Sequence, residues 1–186
     1  MRGERGDHIM LSARPCQVPA PSLLHRYKEE PGFTDCYMVE VLGAFSQEAF
    51  VEAFYTSPLF KLERVILTYL ASMPSTDADA RALACGKLTK FSAWTVERQS
   101  SSELLLADIT GRTRSWLMAV SGSGSNQAAI TRLYFGSAVI PRSHGATTTP
   151  SMGWPFYVLA GFHRLYSRLL LSAASRHVKI NNRQRL

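Results

Sequence analysis

The residues of this chain best suited to recognising a ligand cluster in its second half. Arg114 and Trp116 lie in one apolar run, Arg132 and Tyr134 in the next, and His163 and Tyr166 further on. A guanidinium flanked by aromatic rings can orient a carboxylate or phosphate through paired hydrogen bonds while the rings cover an apolar remainder. An imidazole can act as a general base or hold a ligand by a hydrogen bond. The charge pattern poses the question of what those arginines meet. All 14 acids fall in residues 1–108 with 11 of the 21 lysines and arginines, so that segment carries −3 and the remaining 78 residues carry +10. A buried arginine needs a counter-charge. Arg114 and Arg132 therefore call for an acid of the first half, Glu97 or Asp108 being nearest in sequence, or for a bound anion. In the plainer alternative the arginine face meets water, with guanidinium groups lying over rings.

Other chemistries find little support. There is no Gly-x-Ser-x-Gly elbow, and the Ser121–Asn126 stretch lacks the lysine and following helix of a phosphate loop. No His/Cys spacing points to zinc, and neither a metal nor a cofactor is expected. Cys16, Cys36 and Cys85 are too few and too scattered for a disulfide framework, and Cys85 reads as a packed thiol. Residues 1–14 develop no signal-peptide core, and no uncharged apolar run nears the roughly 18 residues of a membrane span. A cytoplasmic, soluble protein is the expectation. The net charge of +7 raises nucleic acid as a partner, but the basic end, Arg176 to Leu186, has no interleaved aromatics on which bases could stack. Nucleic acid is therefore disfavoured.

The elements that must position these residues follow from periodicity. Residues 1–33 hold four of the nine prolines and read as a flexible or wrapped extension. A strand over Cys36–Leu42 precedes a helix starting at Ser46, with Phe50, Ala53 and Phe54 inward. Ser57-Pro58 opens a second helix, with Leu59, Leu62, Ile66, Tyr69, Leu70 and Met73 at the helical repeat, and Pro74 stops it. A short helix from Asp77 to Cys85 is closed by Gly86. Strands are expected over Phe91–Gln99, Glu103–Ile109, Arg112–Val120 and Ala128–Ile140, joined by hairpin-type breaks. A final helix runs from Pro155 to Arg176, with Leu159, Phe162, Tyr166, Leu169, Leu170 and Ala173 on one face and Arg164 and Arg168 on the other. Residues 34–176 thus form one α+β domain, and 177–186 a basic tail.

Register sorts the strand residues. A two-residue turn at Thr110-Gly111 sets Leu105 opposite Trp116, and pairing Val120 with Ala128 sets Trp116 opposite Arg132 and Arg114 opposite Tyr134. One face then holds Arg114, Trp116, Met118, Ile130, Arg132 and Tyr134; the other holds Ser115, Leu117, Ala119, Thr131, Leu133 and Phe135.

In element order the chain resembles the START-like, polyketide-cyclase-like (SRPBCC) helix-grip superfamily, in which a curved antiparallel sheet wraps a long C-terminal helix and leaves an apolar cavity. Asp35, Ser57-Pro58, Glu103-Leu104-Leu105-Leu106 and Phe162-His163-Arg164-Leu165 resemble an uncharacterised bacterial domain-of-unknown-function family that also occurs fused to epimerase-like domains. The resemblance spans residues 34–176 and supplies no catalytic residues. It implies a small, largely apolar or amphipathic ligand with an anionic or polar group, bound between sheet and helix near Arg114, Trp116, Arg132, Tyr134, His163 and Tyr166. Two alternatives stand beside it: a non-enzymatic interaction module using the basic helix face or tail, and a cyclase- or isomerase-like enzyme using His163.

Overall fold

Alternation of apolar and polar residues through the middle of the chain produces a sheet with two unlike faces, and each face is covered by a different part of the sequence. The computed structural model describes residues 12–29, 32–123, 128–140 and 154–183, with backbone alone at 63, 66, 67, 70, 71, 154–165 and 181–183. The strands are β1 (Arg14–Pro15), β2 (Phe33–Leu42), β3 (Lys90–Phe91), β4 (Trp94–Gln99), β5 (Glu103–Asp108), β6 (Thr113–Ser123) and β7 (Ala129–Val139). The helices are α1 (Arg26–Glu29), α2 (Gln47–Tyr55), α3 (Pro58–Ala71), α4 (Asp77–Ala84) and α5 (Trp154–Arg183). All seven strands pair antiparallel in the order β1-β2-β7-β6-β5-β4-β3. The protein is α+β, with a meander from β3 to β7 closed on one side by β2.

Helix boundaries follow local chemistry. Ser46 caps α2 by accepting a hydrogen bond from the Ala49 amide, and Phe50, Ala53 and Phe54 point into the core. At the next junction the Ser57 hydroxyl donates to the Phe54 carbonyl and accepts from the Phe60 amide, tying the end of α2 to the start of α3. Thr76 and Asp79 form a reciprocal capping box on α4. At its far end the Gly86 amide donates to Leu83 and the Lys87 amide to Ala82. That is a Schellman closure, which needs the positive φ of 69° that glycine accepts.

The main core lies on the face carrying Tyr37, Val39, Val41, Leu104, Leu106, Leu117, Ala119, Leu133 and Phe135, packed against α2, α4 and α5. A smaller core occupies the other face, where Cys36, Leu105, Trp116, Met118 and Ala138 meet Val18, Leu24 and Tyr27 of the N-terminal segment. That segment passes around the β2 edge. Ala13 sits on the helical side, its amide donating to the Ser172 hydroxyl and its carbonyl accepting from Arg168 Nε, whereas residues from Val18 to Tyr27 lie across the opposite face. Of the two expectations for the extension, wrapping describes residues 12–29.

Several expectations need correction. The β6–β7 hairpin runs further than its apolar core implies, with Ser123 opposite Ala129, so Trp116 opposes Gly136 and Arg114 opposes Ala138. The slip is of four residues, an even number, and the division into faces survives it. Phe91–Gln99 is not one strand: Ser92, at φ 52°, breaks it into β3 and β4. On α3, Leu62 (58% exposed) and Tyr69 (84%) lie outward with Val65. On α5 the buried stripe is Ser167, Leu170, Leu171, Ala174 and Val178, and Leu169 faces out. The helix also continues to Arg183, so most of the expected tail is helical, and Val178 belongs to the core. Cys85 is exposed rather than packed.

Candidate functional site

Between the sheet and α5 lies a cleft of about 400 Å³. Its apolar wall is built by Phe54 of α2, Phe60 of α3, Trp94 of β4, Phe135 of β7, and Tyr166 and Leu170 of α5. The wall is prearranged by ring packing: Phe54 and Phe135 stand 5.0 Å apart between centroids, Phe54 and Phe60 5.9 Å. Polar atoms enter along a rim of Asp108, Thr113, Ser115 and Ser137. Ser115 and Ser137 are directly opposed in the β6–β7 register, and Ser137 opposes Asp35 of β2, whose carboxylate accepts the Ser137 hydroxyl proton at 2.5 Å. Three small polar side chains thus cross the sheet in one row beneath α5. The Asp108 carboxylate is committed to its own turn, accepting from the amides of Arg112 and Thr113 and from the Thr110 hydroxyl.

The residues expected to bind a ligand divide between two sides of the sheet. Tyr166 lines the cleft. His163 lies on α5, and its side chain is outside the described residues. Trp116 and Tyr134 belong to the small core on the opposite face, with Arg114 and Arg132 sharing their strand parity, so of the two readings of this face neither open water nor a cavity under α5 describes it: the N-terminal segment lies over it. That cover leaves the row of Ser115, Leu117, Leu133 and Phe135 to meet the helices. Arg114 borders the cleft, yet its guanidinium donates to the Tyr27 hydroxyl (3.0 Å) and the Gly111 carbonyl (2.7 Å) and pairs with Glu97 at 2.5 Å. Tyr27 donates to the same carboxylate, which Arg26 also pairs with, and both guanidinium groups approach the Tyr27 ring. Arg132 pairs with its cross-strand neighbour Glu40 at 3.0 Å. Both arginines therefore meet acids of the first half, which the charge division requires of the enclosed Arg114 though not of the exposed Arg132.

The same face holds a second anchor. The Glu103 carboxylate accepts from the Leu23 amide and from Trp116 Nε1, each at 2.7 Å, linking the N-terminal segment to the buried indole. Burial pushes the Tyr134 phenol above its ordinary pKa. These are the contacts of a packed seam, and the side chains that line it are consumed in holding the chain to itself.

What sequence reasoning missed is the aromatic wall. Phe135 and Ser115 belonged to the face read as plain core, while Phe54, Phe60 and Trp94 come from three separate elements whose convergence no short-range pattern encodes. Among the described residues, no group of three or more His, Cys, Asp or Glu is placed to hold a metal ion, and no helix is long and apolar enough to cross a membrane. No family model, no curated protein and no solved structure matches the chain.

Proposed function

We propose that this protein binds a small, largely apolar ligand in the cleft between the sheet and α5, in the manner of a START-like helix-grip domain. The observation that carries the proposal is the cleft itself: at about 400 Å³, with six apolar or aromatic walls and a few hydroxyls at the rim, it has the size and make-up of a small-molecule site. The polar end of the ligand is better matched to neutral hydrogen bonding than to an anion, because the one guanidinium at the border, Arg114, is held by Glu97 and Tyr27. Hydroxyls of Ser115 and Thr113 are the contacts available. The family resemblance carried by Asp35, Ser57-Pro58 and the Glu103–Leu106 strand supports the same architecture, Asp35 falling in β2 under α5.

Native mass spectrometry of protein taken from its own host, followed by titration with a fluorescent apolar probe, tests the reading. A co-purifying small molecule and probe binding that weakens at least tenfold on Ser115→Leu, which fills the cleft from the sheet side, are expected. A clean apo mass together with probe binding indifferent to Ser115→Leu would refute it.

One observation favours the alternative of an interaction module: α5 extends to Arg183 and presents Arg176, Lys179 and Ile180 on its exposed side, opposite the buried Val178. Arg176→Glu with Lys179→Glu tests this without disturbing Val178. Unchanged capture of an acidic partner by the double variant counts against it.

A further inference from the structure

The N-terminal segment crosses from one side of the sheet to the other at a point where two cysteines face each other. β1 pairs with β2 through Arg14 opposite Met38 and Pro15 opposite Tyr37, and the next step of that register sets Cys16 opposite Cys36, with the Cys16 amide donating to the Cys36 carbonyl at 2.9 Å. Both side chains turn to the second face, and the two sulfurs are 3.3 Å apart, hydrogen-bonded as thiols. Directly opposed residues of an antiparallel pair fall within the backbone separation a disulfide tolerates. Closing from this contact to a bond near 2.05 Å takes a shift of about 1.3 Å, within the reach of side-chain torsions.

We propose that Cys16 and Cys36 are a thiol–disulfide site whose oxidation staples the N-terminal segment to the sheet, with a small anionic disulfide of the glutathione class as oxidant. Cys16 is half-exposed and Cys36 is buried, so the order of events is set by access. A cleft of about 400 Å³ opens beside both, lined by Pro15, Thr34, Asp35 and Arg168 among others, and the exposed Arg168 gives a carboxylate-bearing disulfide a charge to meet. Hydrogen bonding with Cys36, opposed by burial and helped by the charge of Arg14, holds the Cys16 thiol below its ordinary pKa, whereas Cys36 is pushed up by its bond to Cys16 and by burial. That asymmetry makes Cys16 the attacking thiolate.

The step balances as two exchanges. Cys16 Sγ, as thiolate, attacks one sulfur of the oxidant, forming a mixed disulfide and expelling one thiolate. Cys36 then passes its proton to solvent, attacks Cys16 Sγ and expels the second thiolate. Two protein thiols are oxidised, one disulfide is reduced to two thiols, and the protons lost by the cysteines end on the departing groups.

The consequence is local. Residues 17–27 are held to the second face by Glu103, Glu97 and the packing of Leu24, and the crosslink would anchor them covalently at one end. A loop of about 20 residues closed by a disulfide lowers the population of open states by roughly a hundredfold.

The experiment incubates the full chain with oxidised glutathione, then maps disulfides and measures amide hydrogen exchange. The expected result is an intact mass two hydrogens lighter, one linked peptide pair containing Cys16 and Cys36, and exchange in residues 17–27 slowed by about a hundredfold until dithiothreitol reverses it. Cys16→Ser should abolish the linked pair and Cys85→Ser should leave it intact. Accumulation of the mixed disulfide on Cys16 without closure, linkage through Cys85, or a crosslink that leaves exchange in residues 17–27 unchanged would each overturn the proposal.

Discussion

Gly136 is the position at which the two halves of the second core are fitted to each other, and a double-mutant cycle there tests whether the N-terminal segment is an integral layer of the fold. Gly136 lies in β7 between Cys36 and Trp116 in register. A Cβ added to it would stand 2.5 Å from Leu24 Cδ2, 2.9 Å from the Asp35 carbonyl oxygen and 3.1 Å from Trp116 Cε3. Non-bonded carbons prefer about 3.5–4.0 Å, so all three contacts are too close. Leu24 can retreat only by leaving a site in which it is fully buried, and Trp116 is held by both burial and its bond to Glu103. Gly136→Ala should therefore cost about 2–3 kcal/mol, the upper part of the range for overpacking a core. Leu24→Ala should cost about 3 kcal/mol through lost burial and the cavity left behind. In the double variant the worst clash disappears and the new methyl occupies part of the vacated volume, while the Asp35 contact remains. The two costs should then fall short of additivity by about 1–2 kcal/mol. Urea unfolding followed by tryptophan fluorescence reads all four proteins, with unchanged denaturant dependence confirming that the same surface is exposed on unfolding. Additivity within about 0.5 kcal/mol would show that Leu24 does not sit over Gly136, and the account of the second core would fall with it.

Two other perturbations separate effects that look alike in the sequence. Glu97→Ala removes the acid that Arg26, Arg114 and Tyr27 share in a largely enclosed place, and should cost about 2 kcal/mol; Glu40→Ala breaks the more exposed pair with Arg132 and should cost under about 1 kcal/mol. Equal losses in thermal unfolding would contradict the assignment of Arg114 to a structural seam. At α4, hydrogen bonds from the Thr76 hydroxyl and then from its amide hold the Asp79 carboxyl below its ordinary pKa. Because the folded value is depressed, that contribution is present above the unfolded pKa near 4 and is lost as pH falls through the folded value. Asp79→Asn should flatten the acid limb of stability below about pH 4, and an acid limb identical to that of the parent would argue that the capping box does not form in solution.

The legible parts of the fold are those whose cause is local. Ser46, Ser57-Pro58 and Gly86 mark their helix ends because capping and positive φ are decided within a few residues, and the meander is readable because alternation has a period of two. What was not readable depended on partners far away in the chain. Nothing in the segment from Ala13 to Tyr27 states that it will cross an edge, since its prolines are equally at home in a free tail; only the apolar character of Leu105, Trp116 and Met118, on the face that α2, α4 and α5 do not cover, demands a cover. Leu62 and Tyr69 fit a helical repeat, yet which side of α3 turns inward is decided by α2 and α5 rather than by the repeat.

The arginines show how one constraint on charge can be met in two places. The acid-free second half does require an inward arginine to find an acid from the first, as Arg114 does at Glu97, and the exposed Arg132 pairs likewise with Glu40. Each pairing removes a cation that an anionic ligand would need, and each is made on the face that α5 does not cover. The cleft proposed for a ligand opens on the other side, where Trp94, Thr113, Ser115, Phe135 and Ser137 are among the strand residues that line it. On the proposed reading, a cleft walled by Phe54, Phe60, Trp94, Phe135 and Tyr166 would disfavour a charged head by desolvation and favour an apolar body by burial. Charge thus serves to hold the N-terminal segment on one face of this sheet, while the cleft under α5 is walled mainly by rings, with its two charged lining residues, Asp108 and Arg114, already engaged in hydrogen bonds.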